Sequence, residues 1–361
     1  MKIRKEKEFV SLFDEKTGRY LRTGILKNGK DTGIDPFMAS FPELLDIGIM
    51  GHCRHGQEGL CIKAGVECYQ NGLHKKEPNM SLQDFENIVV QCRNQTYQFA
   101  LGGCGDPDQH ENFPEILEIC KRENIVPNFT TSGLGMTEKI AELCSRYCGA
   151  VAVSWYRSKY TRRAVEMLIK AGVKTNIHYV LSKNTVEEAM ERLISHGFPS
   201  GINAVVFLLH KPVGLGTRQN MITIEHEQFQ KLIHLINSGR IDYKIGFDSC
   251  TVPALVNAPG RINMESLDTC EGARWSAYIS PDMKIMPCSF DNQEMRWAVS
   301  LRNHTILEAW NSKEFENFRN HFRTSCPDCI DRKLCMGGCP IRPEIVLCDR
   351  KSKYKTGSVP L

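Results

Sequence analysis

The chain has 361 residues, 41% apolar and 24% charged, enough for one large domain and a smaller one around a real core, which excludes wholesale disorder. A formal charge of +4 is small for this length, and no basic stripe interleaves with aromatics, so nucleic acid is not an expected partner. The opening "MKIRKEKEF" lacks the apolar core of a signal peptide, and runs such as "AVVFLL" are too short to span a membrane, so the expected protein is cytoplasmic and has no membrane contact. Sixteen cysteines are many for a reducing compartment. Clustered at regular spacing they read as metal ligands, and thiolates suit zinc or iron–sulfur.

In chain order, residues 8–26 read as two short strands around a Lys-Thr-Gly turn. From residue 45 apolar runs alternate with helical patterns. The expected strands are "LLDIGIM", "YQFALGG", "IVPNFTT", "GAVAVSW", "KTNIHYVL" and "NAVVFLL". Between the second and third, Phe113, Ile116, Leu117 and Cys120 fall at i, i+3, i+4 and i+7, one face of a helix. "TEKIAELCSRY", "TRRAVEMLIKAG" and "TVEEAMERLISHG" fill the next gaps, and the last two end on glycine as helix stops do. This alternation predicts an α/β fold built on a parallel sheet or partial barrel. Beyond about residue 245 helical spacing survives only in "TILEAWNSKEFENFRNHF"; the rest reads as loops, prolines and cysteines. The expected organisation is an N-terminal hairpin segment over 1–44, a barrel over 45–245 and a cysteine-rich domain over 246–361.

Two cysteine constellations carry the chemistry. The C-terminal one is C-x2-C-x5-C-x3-C-x8-C, at Cys326, Cys329, Cys335, Cys339 and Cys348, with Cys270 and Cys288 upstream. Five thiols in so short a span exceed one tetrahedral site and imply a second. A zinc ribbon with spare thiols is the plain alternative. The other constellation, "GHCRHGQEGLCIKAGVECYQNG", follows directly on the first barrel strand and supplies Cys53, Cys61 and Cys68. Three thiolates at a strand's carboxyl end leave a metal or cluster one open position, where a substrate can coordinate. Cys92, Cys120, Cys144 and Cys148 fall in helical patterns and are expected to be buried, inert thiols.

From residue 40 on, the chain resembles a radical S-adenosylmethionine (SAM) enzyme with a C-terminal SPASM domain, and most closely the maturases of ribosomal peptide natural products. The resemblance implies a partial (β/α)6 barrel in which Cys53, Cys61 and Cys68 hold a 4Fe–4S cluster whose open iron binds SAM. Cys68-Tyr69 reproduces the usual Cys-aromatic ending. The usual spacing, C-x3-C-x2-C, is here C-x7-C-x6-C, and His52 and His55 stand as lower-ranked alternative ligands. "ALGGCGDP" looks like the family's Gly-Gly-Glu-Pro segment, with Gly102 and Gly103 set against the SAM amino group; Cys104-Gly105-Asp106 stands where the glutamate would be. The resemblance further implies Thr131 and Ser132 against the ribose, Ser154 at the SAM carboxylate, and His178 as a weaker ribose contact.

It also assigns Cys326, Cys329, Cys335 and Cys348 to an outer auxiliary cluster and Cys270, Cys288 and Cys339 to an inner one, for three 4Fe–4S clusters in all. Cys250 is the nearest candidate for the inner fourth ligand, and Met283 replaces the pattern's glycine. The implied chemistry is SAM cleavage to a 5′-deoxyadenosyl radical that takes hydrogen from a core residue of a precursor peptide. The expected partners are that peptide, a separate leader-recognition protein, because only about 40 residues precede the barrel, and an electron donor such as flavodoxin or ferredoxin. The triad spacing and "ALGGCGDPDQHENF" point to the subgroup that includes spliceases, which excise a tyrosine-derived tyramine and leave an α-keto-β-amino acid. Thioether or carbon–carbon cross-linking and epimerisation share the scaffold. A sulfatase-activating type is a further reading, against which Ser289 stands where that family commonly has aspartate. A non-catalytic zinc-containing peptide-binding protein is the rival from another class.

Overall fold

The computed structural model describes residues 1–258, 266–324, 326, 328–329 and 331–348. Short antiparallel strands come first: β1 (Lys2–Lys5), β2 (Val10–Phe13) and β3 (Tyr20–Arg22) form one sheet, and β4 (Leu26–Lys27) and β5 (Lys30–Asp31) a separate pair. The hairpin expected at 8–26 is β2–β3; β1, too charged to read as a strand, pairs with β2. This sheet docks at the amino ends of the barrel strands. Arg4 donates to the Phe41 and Gln95 carbonyls, and the Ser11 hydroxyl donates to buried Glu43 at 2.9 Å.

The barrel alternates strand and helix. β6 (Leu44–Met50) is followed by the single turns α1 (Arg54–Gln57) and α2 (Leu60–Lys63) and by α3 (Leu82–Cys92). Then come β7 (Gln98–Gly103), α4 (Phe113–Arg122), β8 (Val126–Thr131), α5 (Glu138–Tyr147), β9 (Val151–Ser154) and α6 (Lys159–Lys170). β10 (Thr175–Leu181), α7 (Val186–Ile194), β11 (Ala204–Leu209), α8 (Glu227–Asn237) and β12 (Ile245–Phe247) complete it. The strands from β6 to β12 lie side by side in chain order, all parallel. Six βα units in that order form the partial barrel, and β12 closes its far edge.

The helices start where the sequence supplies caps. Ser81, Thr137 and Ser158 accept the N–H three residues on, at 3.1, 3.2 and 3.1 Å. α6 stops at Gly172, φ +79°, but after α7 it is His196, φ +54°, and not Gly197 that takes the left-handed turn. The α4 stripe of Phe113, Ile116, Leu117 and Cys120 is buried. Cys92 and Cys144 are buried with it, whereas Cys148 sits at the C-cap of α5, partly exposed.

After α9 (Val252–Asn257), β13 (Ser276–Ile279) pairs in parallel with β6 on the side away from β7. β14 (Lys284–Met286) and β15 (Val299–Ser300) continue the sheet antiparallel. One ten-stranded sheet therefore runs from the barrel into the cysteine-rich region. The helical stretch near 306–322 divides into α10 (Ile306–Trp310) and α11 (Lys313–Thr324). Trp310 is fully buried and its indole donates to the Ala39 carbonyl at 3.0 Å. The buried Arg319 guanidinium donates to Ala273 and Trp310 carbonyls at 2.7 Å each, which satisfies a charge that burial would otherwise make costly. A last turn, α12 (Arg332–Cys335), carries one of the C-terminal thiols. Among the described residues no helix is long and apolar enough to cross a membrane.

Candidate functional site

β6 delivers the first cysteine loop to the carboxyl end of the parallel strands. The long spacing resolves into helical turns rather than slack loop. Cys53 is the N-cap of α1, its sulfur accepting the Gly56 N–H at 3.1 Å. Gly59, φ +67°, turns the chain into α2, which carries Cys61. Cys68 follows, accepting the Gly72 N–H at 3.5 Å. Each cysteine thus returns to one region although the gaps are longer than usual. Gly72 marks it: a Cβ there would lie 3.1 Å from the Cys53 Cβ and 3.5 Å from the Cys68 sulfur. The loop after β11 clamps the third cysteine. Leu215 N–H donates to the Cys68 carbonyl at 2.9 Å, and Glu67 accepts from Thr217 N–H and the Asn220 amide, both at 2.7 Å.

Burial pushes the Cys53 thiol up, with Asp106 adding to it, and raises Cys61 to about 12, with Cys68 adding to it. Without metal these groups are protonated at neutral pH, and a metal must displace their protons. Among the described residues no three such groups surround one point as the ligands of a single ion would. A cluster makes a looser demand, because its thiolates bind different irons. His55 lies against the triad: Nδ1 is 3.0 Å from the Cys61 sulfur and Nε2 2.6 Å from the Tyr160 hydroxyl. His52 Nδ1 contacts the Glu77 carbonyl at 3.3 Å.

The expected SAM contacts divide. Gly102 opens on the barrel interior, its nearest neighbour the Asp46 carboxylate. Gly103, φ +111°, packs against the Met50 backbone, where no side chain fits. Ser154 and His178 line a small cavity of about 30 Å³ with Val66 and Tyr156, at register-paired positions of β9 and β10. Burial lowers His178 to about 4, so its ring is neutral. Thr131 and Ser132 are both engaged within the chain. Residues of β8 alternate, and Thr131 falls on the helix side, fully buried, accepting the Gly133 N–H at 3.0 Å. Ser132 is consumed by Asp106, which accepts from its N–H at 2.7 Å and its hydroxyl at 2.5 Å. The inward hydroxyl is Thr130, 3.3 Å from His178 Nδ1. The alternation along "VPNFTT" was the signal that distinguishes them.

Two further thiol groups form in the C-terminal region. Cys250 pairs with Cys339, the largest reason its thiol is pushed well above the ordinary value. Burial raises Cys270, and then Cys250 and Cys288 do so. Cys250 is the common neighbour: Cys339, Cys270 and Cys288 each lie beside it. Lys211, buried, reaches them from the end of β11; it donates to Asp248 at 2.9 Å and to the Leu209 carbonyl at 3.1 Å. Burial raises Cys335, and Cys348, Cys326 and Cys329 add to that. The donor chemistry of three, four and four thiols fits iron–sulfur clusters. The two larger surface cavities, about 520 and 440 Å³, open on α3 with the loop after β15 and on β12 with α8, outside the thiol groups.

Residues 270–330 match the family model of the SPASM iron–sulfur cluster-binding domain. No curated protein matches the chain. Among solved structures, Streptococcus suis SuiB bound to precursor peptide SuiA superimposes with TM-score 0.64 at 14% identity, over 87% of this chain and 76% of that one. SuiB bound to S-adenosylmethionine gives 0.64 at 16%, over 87% and 77%. anSMEcpe with bound AdoMet and the Cp18Cys peptide gives 0.58 at 17%, over 87% and 91%. The chain shares the fold of these structures and carries a match to the SPASM iron–sulfur cluster-binding domain at residues 270–330. The SPASM departure at Met283 acquires a physical meaning here. Met283 has φ +66°, the left-handed conformation for which glycine is the unstrained residue. This chain accepts the strain and buries the methionine side chain beneath Leu301, whose N–H donates to the Met283 carbonyl at 2.8 Å.

Proposed function

We propose that this radical SAM enzyme modifies a ribosomally made precursor peptide. The observation that carries the proposal is the segregation of eleven cysteines into groups of three, four and four around one barrel. Cys53, Cys61 and Cys68 would hold the SAM cluster. Cys250, Cys270, Cys288 and Cys339 would hold the inner auxiliary cluster, and Cys326, Cys329, Cys335 and Cys348 the outer one. When bound, reduced iron–sulfur with SAM supplies a carbon radical able to take a hydrogen atom. The protein's own part is placement. The α1–α2 loop fixes three thiolates at the barrel mouth, Gly102 leaves backbone open to a ligand, and Ser154, His178 and Thr130 offer polar contacts beside it. Two structural relatives carry peptides in their solved forms, SuiA and Cp18Cys, which supports a peptide substrate here.

The reaction within that class is proposed to be tyramine excision, on the "ALGGCGDP" segment and the stretched triad. A separate leader-binding protein and a flavodoxin or ferredoxin donor complete the proposal, in the cytoplasm. The test is anaerobic reconstitution followed by incubation with SAM, dithionite and a leader-bearing peptide containing tyrosine. The expected result is 5′-deoxyadenosine together with peptide that has lost the tyramine unit. Loss of two hydrogens would indicate cross-linking, and deuterium uptake from heavy water without other mass change would indicate epimerisation. Stoichiometric zinc with no 5′-deoxyadenosine would establish the zinc-containing binding protein instead.

A further inference from the structure

Five of the sixteen cysteines lie outside the three thiol groups. Cys92, Cys120 and Cys144 belong to the hydrophobic core, and Cys148 packs against it. The fifth, Cys104, differs. It is buried at 6% exposure but, like Cys53 at 7% and Cys61 at 5%, joins no hydrophobic cluster among the described residues. It is the first residue after β7, at the carboxyl end of the parallel strands, where the loop carrying Cys53, Cys61 and Cys68 lies.

Contacts tie Cys104 to both ends of that loop. Its N–H donates to the Met50 carbonyl at 2.8 Å, just ahead of Cys53. Its sulfur reaches the Gln70 carbonyl, two residues past Cys68, at 3.8 Å. The next residue, Gly105, approaches so closely that a Cβ on it would stand 2.2 Å from the His52 carbonyl oxygen and 3.2 Å from Cys53 Cα. One point measures the convergence: a Cβ on Gly72 would lie 3.1 Å from the Cys53 Cβ and 3.5 Å from both the Cys68 sulfur and the Cys104 carbonyl oxygen. Cys68 and Cys61 act electrostatically on the Cys104 thiol, and it acts on that of Cys53. Burial among apolar side chains is the ordinary use of a free cysteine, and Cys104 is not so placed. A thiol is a weak donor, and a bond as long as 3.8 Å holds it loosely. Little has to break for this sulfur to turn to a metal.

We propose that Cys104 supplies a fourth thiolate at the triad, closing the open position while SAM is absent and releasing it when SAM binds. The inference rests on the proposed radical SAM function but concerns the resting protein rather than a reaction step. Four cysteines are the common ligand set of such clusters. On release, the bond from the Cys104 sulfur to iron is exchanged for bonds from the amino and carboxylate groups of SAM. The SAM ammonium loses one proton in binding and the departing thiolate takes one, so protons balance and no electron moves.

Two measurements on anaerobically reconstituted protein without reductant test it. In the first, ferricyanide is added in steps and the three-iron signal left by loss of an unprotected iron is counted by EPR. In the second, SAM binding is measured by equilibrium dialysis. With the cap closed in about nine molecules of ten, the open fraction and the apparent SAM affinity are both about tenfold below their uncapped values. Cys104→Ala should therefore give about tenfold more three-iron signal than SAM-free wild type and bind SAM about tenfold more tightly. A purely structural role predicts the opposite for SAM, because a cavity beside the triad loosens the site. Cys104→Ser, which keeps the volume but is a poorer iron ligand, should fall between. The auxiliary groups are the same in every sample and set the background; iron content and circular dichroism establish folding. Wild type that yields a full three-iron equivalent without SAM overturns the inference whether or not the variants fold. So does Cys104→Ala that matches wild type in signal or binds SAM no more tightly. 5′-Deoxyadenosine, assayed on the same preparation after reduction, separates the two readings. Wild type that forms it despite a full three-iron signal keeps the proposed function and loses the fourth ligand. A protected cluster that never cleaves SAM sinks the function and leaves the ligand standing.

Discussion

Gly102 and Gly103 are adjacent, are both expected at the SAM site, and should respond oppositely to alanine. At Gly103 the added Cβ would lie 2.5 Å from the Met50 carbonyl oxygen, 2.9 Å from its nitrogen and 3.1 Å from Gly48 Cα. All three are backbone atoms, so nothing can rotate aside. The φ of +111° adds strain for any L side chain. Backbone strain of about 1–3 kcal/mol and overpacking of about 1–3 kcal/mol together put Gly103→Ala at roughly 2–6 kcal/mol of lost stability. The same clash pushes on the Cys104 N–H to Met50 carbonyl bond of 2.8 Å, three residues before Cys53. Iron at the three-cysteine group should fall with it. Gly102 has no positive φ, and its only close neighbour is a side-chain carboxylate at 3.6 Å. Gly102→Ala should therefore stay within about 1 kcal/mol of wild type and retain full iron, while its methyl group, facing the interior, weakens SAM binding. Denaturant unfolding of the metal-free proteins, iron analysis after anaerobic reconstitution and SAM titration separate the two. If Gly103→Ala proved as stable as Gly102→Ala, the packing of β7 against β6 described above would be wrong.

Replacing Cys53, Cys61 and Cys68 together by alanine should abolish 5′-deoxyadenosine formation and remove about four of roughly twelve irons; undiminished SAM cleavage would place the site elsewhere. Replacing Cys250, Cys270, Cys288 and Cys339 together should also remove about four irons, checked by iron and sulfide analysis, and full retention would contradict the inner grouping. Lys211→Met leaves the Asp248 carboxylate without its buried partner, so a loss of about 3–5 kcal/mol is expected by chemical unfolding; removing the positive charge should also lower the reduction potential of the neighbouring cluster in an EPR-monitored titration. In the metal-free protein the contribution of Asp46 to stability should fall as pH rises from about 4 to 7, against the opposite contribution of the depressed His178. The Asp46 carboxyl is raised to about 7 when folded, against about 3.9 unfolded, so the folded state binds more protons across that window. Relative to wild type, Asp46→Asn should gain on the order of a few kcal/mol of stability between pH 4 and pH 7, and an unchanged pH dependence would show that Asp46 is not held in a dehydrating site.

Much of the architecture was written in local pattern. A period of two, then of three to four, repeated from residue 44 onward, and such patterns bury only as a parallel sheet under helices; all six expected strands form. C-x2-C and its relatives are local geometry, so the chain itself brings Cys326 and Cys329 near Cys335. "SAYI" of β13 is too short to carry a strand signal of its own, and its strand character comes from pairing with β6, about 230 residues away in sequence. Which hydroxyl of "TTSG" faces inward was also beyond a motif; Thr130 and Thr131 differ only in the face they occupy, and pleat and register decide it. The gaps in the opening triad looked like loose insertions until the chain curled each into a helical turn. Cys250 and Cys104 mark the limit most clearly. Each is a lone cysteine in the sequence, and each gains its meaning only from what distant segments bring beside it: Cys339 for the first, Cys53 and Cys68 for the second. Sequence specifies local geometry and burial preference directly; proximity between remote segments exists only once the sheet has closed.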